Sequence, residues 1–136
     1  THSYDLGRGD APPLPVFPHW DNERLKTGEY LSLYPNVLLG LQADHFFAII
    51  LTSDAPDKTR ERLRFFYAGG DALGDATLAR RQSLHAAWSQ VFSEDISVVE
   101  GMQRGRASHA FEGGVFSPVM DVPTHHFHQW FARGYQ

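Results

Sequence analysis

A change of pattern at Gly69-Gly70 most constrains the fold, because strand-like segments precede it and a long helical segment follows it. Two apolar segments, 37–42 and 45–52, have the length of strands, and segment 59–67 alternates charged and apolar residues. Such alternation is typical of an antiparallel strand with one exposed face. From 77 to about 103, apolar residues recur at helical spacing. The order predicts an antiparallel meander of three or four strands, followed by a helix that packs on it.

The flanking segments complete the predicted domain organisation. Four prolines lie within seven positions between residues 12 and 18, which excludes both a helix and a central strand there. We therefore expect an irregular connection over 1–28, held against the rest of the chain by its apolar side chains. Asp121 and Pro123 predict the start of a last helix, and 109–116 a short strand or a loop. The predicted fold class is α+β, with residues 1–136 forming a single partial domain.

Composition excludes several classes of protein. Twelve basic and sixteen acidic residues give a net charge of −4 in 136 residues, without a basic run, which makes a poor nucleic-acid binder. The absence of cysteine excludes a disulfide scaffold, a cysteine-ligated zinc and a cysteine-held iron–sulfur cluster within the chain. The strongly apolar run Phe46 to Leu51 is far too short to span a membrane, and the first ten residues do not resemble a signal peptide. These features predict a cytoplasmic protein without a membrane or nucleic-acid partner.

One residue interrupts the apolar stripe of the long predicted helix. Asp95 lies four positions after Val91 and three before Val98, where the stripe should face the core, whereas Glu94 should face away. Because an ionised carboxylate buried alone is costly, it must be protonated, paired or bound to a metal. The spacing leaves three alternatives open: a metal or catalytic role, a buried ion pair with a strand arginine, or a kink that exposes the side chain. The stripe otherwise consists of Leu84, Trp88, Val91, Val98 and Met102.

Three parts of the chain, within about 30–135, carry a resemblance to a known family. They are Tyr34-Pro35-Asn36-Val37-Leu38-Leu39 with Asp44-His45-Phe46, then Trp88-Ser89-Gln90-Val91-Phe92-Ser93-Glu94-Asp95 with Glu100-Gly101-Met102-Gln103-Arg104-Gly105, and finally Phe116-Ser117-Pro118 with His125-His126-Phe127-His128-Gln129-Trp130. In order and spacing these segments resemble the catalytic domain of Rieske non-haem iron oxygenase α subunits, also called ring-hydroxylating dioxygenases. The choline-monooxygenase-like and phenylpropionate-dioxygenase-like subunits are the most similar.

The resemblance implies a fold and a metal site. The fold would be the C-terminal part of a helix-grip (START-like) catalytic domain, with an antiparallel sheet packed by a long helix and a C-terminal helix. In that family two histidines and one carboxylate hold a mononuclear Fe(II) and leave positions open for dioxygen. The carboxylate ligand falls on Asp95. Four residues on the same helix become candidates for substrate binding, with plain core packing as the alternative for the two aromatic ones: His85, Trp88, Val91 and Phe92.

The resemblance also implies a reaction and its partners. A reductase or ferredoxin would pass electrons through a [2Fe-2S] Rieske cluster to the iron, which uses O2 to hydroxylate, dihydroxylate or demethylate a small organic substrate, as in aromatic catabolism. The subunits of this family associate as homo-oligomers, namely trimers. The chain departs from the family because none of its eight histidines forms the His-x4-His pair, and the cluster would belong to a missing domain. A non-catalytic helix-grip module that binds a small ligand is the alternative function.

Overall fold

The computed structural model describes residues 2–3 and 12–134, and the chain forms two compact units, Thr1–Val98 and Val99–Gln136. The first unit contains an antiparallel sheet whose neighbouring strands follow one another in sequence, as a meander requires. The predicted α+β class, with a long helix and a C-terminal helix, is confirmed, whereas the single partial domain stays a prediction. The strands are β1 (His2–Ser3), β2 (Thr27–Leu33), β3 (Val37–Leu41), β4 (His45–Ala55) and β5 (Lys58–Tyr67), and the helices are α1 (Leu78–Arg106) and α2 (Val122–Arg133).

The hairpin of β4 and β5 is the longest pairing in the sheet and carries the face on which α1 packs. Its strands are joined at Pro56-Asp57, turn residues that terminate pairing. Because side chains alternate across a strand, His45, Phe47 and Ile49 share one face of β4. Their cross-strand partners on β5 are Tyr67, Phe65 and Leu63. The arginines of β5, at 60, 62 and 64, occupy the opposite face, as the charge alternation predicted.

The core of the first unit lies between this sheet face and the first half of α1. Leu84 and Trp88 from α1 are almost completely buried, and Leu14 from the proline-rich segment joins them. Phe17 from the same segment donates its backbone N–H to the carbonyl of Ala43 at 2.8 Å. Residues 12–20 form no strand or helix and lie against the sheet, whereas the irregular connection predicted over 1–28 is interrupted by β1 and by the start of β2. The core cluster consists of Leu14, Phe47, Ile49, Ala72, Leu84 and Trp88.

A close approach between two strands fixes the position of one core ring. The ring of Phe47 lies directly over Gly40, its cross-strand neighbour on β3, so that a Cβ at Gly40 would overlap the ring. Glycine is needed here because the backbone and the ring share the space that a methyl group would occupy. Phe47 therefore sits deep against the sheet, which leaves room for the indole of Trp88 above it.

The second unit contains the end of α1 and the whole of α2. Residues 109–116 form no strand, so the loop is the correct one of the two predicted alternatives. Asp121 accepts a hydrogen bond from the backbone N–H of Ser117 at 2.7 Å, and α2 begins at the next residue with Pro123 in its first turn. Within the described ranges, neither helix combines the length and the hydropathy needed to span a bilayer.

Candidate functional site

A buried histidine lies between the sheet and α1 in the first unit. His45, the first residue of β4, is 3% exposed, and its Nε2 lies 2.9 Å from the indole Nε1 of Trp88, which is 2% exposed. Its Nδ1 lies 2.7 Å from Oδ1 of Asp44, the preceding residue. Both ring nitrogens therefore have a partner of definite chemistry. Strand β4 supplies the histidine, and the third turn of α1 brings the tryptophan over it.

The two hydrogen bonds assign the tautomer of His45. An indole N–H can only donate, so Nε2 of His45 must accept and carries no proton. The proton of the neutral ring then lies on Nδ1, which donates to the carboxylate of Asp44. The result is a directed chain of hydrogen bonds from Trp88 through His45 to Asp44, and it leaves no buried nitrogen of these three side chains unpaired.

Aromatic rings surround the indole on its other sides. Phe47 meets it edge-on at 4.6 Å between ring centroids, and Phe92, one turn further along α1, stacks on it at 5.5 Å with an interplanar angle of 16°. Phe92 in turn meets Phe47 edge-on at 5.2 Å. These are the offset and edge-to-face arrangements that aromatic pairs prefer. The three rings form an aromatic wedge, defined as Phe47, Trp88 and Phe92, which joins β4 to α1.

Tyr67 and His85 form a second polar pair at the end of the same sheet face. The hydroxyl of Tyr67 is buried without a hydrogen-bond partner among the described residues, and burial raises the pKa of Tyr67. His85 stacks on Phe65 at 4.3 Å, and its pKa is lowered by desolvation first and then by the charge of Arg81 and by His45. Both groups are therefore held in their neutral forms near pH 7. A neutral phenol and a neutral imidazole can donate or accept a hydrogen bond to a ligand.

The structure separates the residues that the sequence nominated for the site. Trp88 belongs to the core, and Val91 and Phe92 are half-buried against it, whereas His85 lies on Phe65 with its side chain largely exposed. Asp95 is exposed, like Glu94, so the expectation that Asp95 faces the core is wrong for this chain. The helix is continuous through this position. The cause of the exposure is that packing on the sheet ends at Phe92.

Two residues of the site were not nominated from the sequence. His45 and Tyr67 face α1 from neighbouring strands, directly opposite one another in the register. Strand alternation carried the signal, because both residues share a face with Phe47 and Phe65, where a polar group needs a partner. Among residues 2–3 and 12–134, no three histidine, cysteine, aspartate or glutamate side chains converge to hold a metal. Asp95 by itself could supply only one carboxylate ligand of an iron site, so no step through the metal follows from the described residues.

Comparison with known proteins identifies the family. Residues 5–136 match the family described as the ring-hydroxylating α subunit, catalytic domain. The chain is also 27% identical over 108 residues to the putrescine 2-hydroxylase of Ralstonia nicotianae. That alignment covers 76% of this chain and 29% of the relative, so the chain spans less than a third of the relative's length. No solved structure gives a significant match. Because the family match covers nearly the whole chain, the chain belongs to the catalytic domain of the ring-hydroxylating oxygenase α subunits.

Proposed function

We propose that the chain supplies the late helix of the active site in the terminal oxygenase of a Rieske-type system, with Asp95 as the carboxylate ligand of the mononuclear iron. The observation that carries the proposal is the position of Asp95 on α1. It lies seven residues after Trp88 and three after Phe92, on the line of the apolar stripe. Asp95 is exposed in this chain, and its charge would become costly only where another part of the protein covered the stripe without compensating it.

The neighbours of Asp95 support a substrate pocket on the same helix. Val91 and Phe92 lie one turn before Asp95, and Trp88 and His85 lie further towards the N-terminus of α1. An aromatic and aliphatic wall with one neutral imidazole suits a small, mostly apolar substrate that carries a polar group. The similarity to a protein named putrescine 2-hydroxylase makes short aliphatic amines the first substrates to test. Aromatic rings also favour an ammonium group through cation–π contacts.

The remaining parts of the proposal concern the protein that carries this chain. Two histidine ligands and a [2Fe-2S] Rieske cluster would come from residues outside the chain, because its own residues do not provide them. Electrons would come from a reductase or ferredoxin, O2 would be the second substrate, and the subunits would form a homotrimer in the cytoplasm. Fe(II) supplies the activation of O2 when it is bound, whereas this chain positions the substrate and one ligand.

The test is a set of substitutions at Asp95 and its neighbour in the protein that carries this chain. Asp95→Asn keeps the size of the side chain but removes its charge, and Asp95→Ala also removes the oxygen ligand. Both should abolish hydroxylated product, followed by mass spectrometry, and lower the mononuclear iron content. The visible absorption of the Rieske cluster should not change. Glu94→Gln is the matched control, because an α-helix turns Glu94 about 100° away from Asp95.

Two outcomes would contradict this assignment. If Glu94→Gln loses iron while the Asp95 variants keep it, the ligand is Glu94 and the helix register assumed for the family is shifted by one residue. If all three variants keep wild-type iron and activity, the carboxylate comes from another part of the protein.

A non-catalytic module that binds a small ligand is the second candidate function. The buried hydroxyl of Tyr67, for which the described part of the chain provides no hydrogen-bond partner, favours it, because such a group can anchor a polar atom of a ligand. This function predicts saturable binding of an amine by calorimetry in protein stripped of iron, and Tyr67→Phe should weaken that binding. Binding that requires iron and is insensitive to Tyr67→Phe would favour the oxygenase.

A further inference from the structure

We propose that His45 is a positioning residue: by accepting the indole hydrogen bond of Trp88, it sets the rotation of α1 on the sheet and thereby the direction in which Phe92 and Asp95 project. The inference rests on the proposed function for its consequence in catalysis. Its structural part stands on two buried side chains and a hydrogen bond of 2.9 Å.

The apolar contacts between α1 and the sheet do not by themselves specify the rotation of α1 about its axis. Burial of Leu84 and of the aromatic rings is favourable but not directional, so several rotations of α1 would bury similar areas. The hydrogen bond is directional, because it requires the single N–H of the indole to meet one ring nitrogen. A rotation that separated them would leave a buried donor and a buried acceptor unpaired, which is unfavourable for each group.

The hydrogen bond from Trp88 depends on the tautomer of His45. If the proton of His45 lay on Nε2, two N–H groups would face each other and the bond to Trp88 would be lost. Asp44 prevents this, because its carboxylate accepts from Nδ1 at 2.7 Å and so favours the tautomer that leaves Nε2 free to accept. Asp44 is the more exposed of the two side chains, with 25% of its surface accessible. The dipeptide Asp44-His45 thus forms the complete acceptor for Trp88.

Ring contacts connect Trp88 to the proposed site around Asp95. The indole stacks on Phe92, and Phe92 rests edge-on against Phe47, so a rotation of the indole would displace the whole aromatic wedge. Asp95 follows Phe92 by three residues on the same helix and turns with it. A rotation of α1 by one residue would point Asp95 about 100° from its present direction. His45 is distant in sequence from these residues but adjacent through this chain of contacts.

The test uses two substitutions that separate the functions of the two ring nitrogens. In His45→Gln the amide oxygen can take the place of Nε2 and accept from the indole. In His45→Asn the shorter amide can replace only Nδ1, which leaves Trp88 without its acceptor. The readout is hydrogen exchange of the Trp88 indole N–H, in protein labelled with ¹⁵N-tryptophan and assigned with Trp88→Phe. Trp20, which donates to the carbonyl of Arg24 at 3.2 Å, serves as the internal control.

We expect His45→Gln to keep the Trp88 N–H protected and His45→Asn to exchange it about 10-fold faster, as the loss of one buried hydrogen bond implies. The Trp20 signal should not change in either variant. Equal exchange in the two variants would overturn the inference. If His45→Asn does not fold, the comparison is made between His45→Gln and wild type, and exchange 10-fold faster in His45→Gln would overturn it.

The second readout is enzymatic and separates this inference from the proposed function. In an active oxygenase, His45→Asn should raise KM and lower the product formed per O2 consumed, and His45→Gln should restore both. Normal coupling and KM in a His45→Asn protein with rapid indole exchange would overturn the positioning role. A wild-type protein without oxygenase activity would instead refute the proposed function, while the exchange measurement would still test the hydrogen bond.

Discussion

The apolar stripe runs along both halves of α1, but it is buried in the first half and exposed in the second. In the first half, Leu84 and Trp88 are 1% and 2% exposed beneath the sheet. In the second half, Val98 and Met102 continue the same apolar stripe, yet they are 60% and 55% exposed. Asp95 lies between the two halves. The periodicity of a helix therefore shows which face is apolar, whereas the surrounding chain determines whether that face is covered.

The second half of α1 exposes several large apolar side chains close together. Ile96 and Val99 are also more than half exposed, so the exposed apolar residues near Asp95 extend over about two turns of α1. Contiguous apolar surface of this kind marks a place where another part of a protein or another subunit packs. In the proposed oxygenase such a covering would come from the rest of the protein, since the alignment covers 29% of the length of the relative.

Truncation of one large apolar residue in each half should produce the largest contrast. In this chain, Leu84→Ala should lower the free energy of unfolding by about 2–5 kcal/mol, because it leaves a cavity in the core. Met102→Ala should change it by less than about 0.5 kcal/mol, since the side chain is exposed. Urea denaturation measures both values. A loss of more than about 2 kcal/mol for Met102→Ala would show that the second half is covered in solution, and the loss would then depend on protein concentration.

Addition of one methyl group at a glycine should change the free energy of unfolding in opposite directions in the two regions, and by smaller amounts. Gly40→Ala should lower the free energy of unfolding by about 1–3 kcal/mol, because the new Cβ overlaps the ring of Phe47. Gly101→Ala, in the second half of α1, should raise it by about 0.5–1 kcal/mol, since alanine is the better helix former and has room. Thermal unfolding of the two variants side by side would reveal the contrast. A neutral Gly40→Ala would mean that Phe47 can move away from β3.

Removal of the hydroxyl of Tyr67, on the face of β5 that packs against the first half of α1, should stabilise the fold. Within residues 2–3 and 12–134 the buried hydroxyl has no hydrogen-bond partner, so Tyr67→Phe should raise the free energy of unfolding by about 1 kcal/mol. The pKa of Tyr67 is raised above 10.0 in the folded chain, mainly by burial. The folded state therefore binds the phenolic proton more tightly, and stability should fall as pH rises above 10.0. Tyr67→Phe should weaken this fall, and a destabilised Tyr67→Phe protein would reveal a hydrogen bond to water or ligand.

The smallest expected effect is a pH dependence from His85. Its pKa is lowered below 6.5, first by desolvation and then by Arg81 and His45. The unfolded state thus binds the proton more readily, so stability is full above pH 6.5 and declines as pH falls towards the lowered value. Urea midpoints between pH 7.5 and 5 measure the slope. His85→Gln should reduce it, whereas His126→Gln on α2 should leave it unchanged, and equal slopes in both variants would exclude His85 as the cause.

The sequence predicted the elements of this fold better than the surroundings of its site. The apolar run of β4, the charge alternation of β5 and the helical spacing of Leu84 and Trp88 are local patterns, and they sufficed for the sheet and for α1. The bond between His45 and Trp88 joins residues 43 positions apart, which no local pattern reports. The exposure of Asp95 escaped prediction for a related reason. Its spacing identified the correct stripe, but the end of the sheet at Phe92 depends on tertiary structure.

The meander arrangement of the sheet has a consequence for the order in which the molecule folds. Each strand from β2 to β5 pairs with the strand next to it in the chain, so these contacts close short loops and should form early. The hydrogen bond between Trp88 and His45 closes a longer loop, because its two residues lie 43 positions apart. We therefore expect the sheet to exist before the aromatic wedge does. The direction of Asp95 would then be set in the last step of folding, when the indole of Trp88 reaches a histidine whose proton Asp44 has already placed.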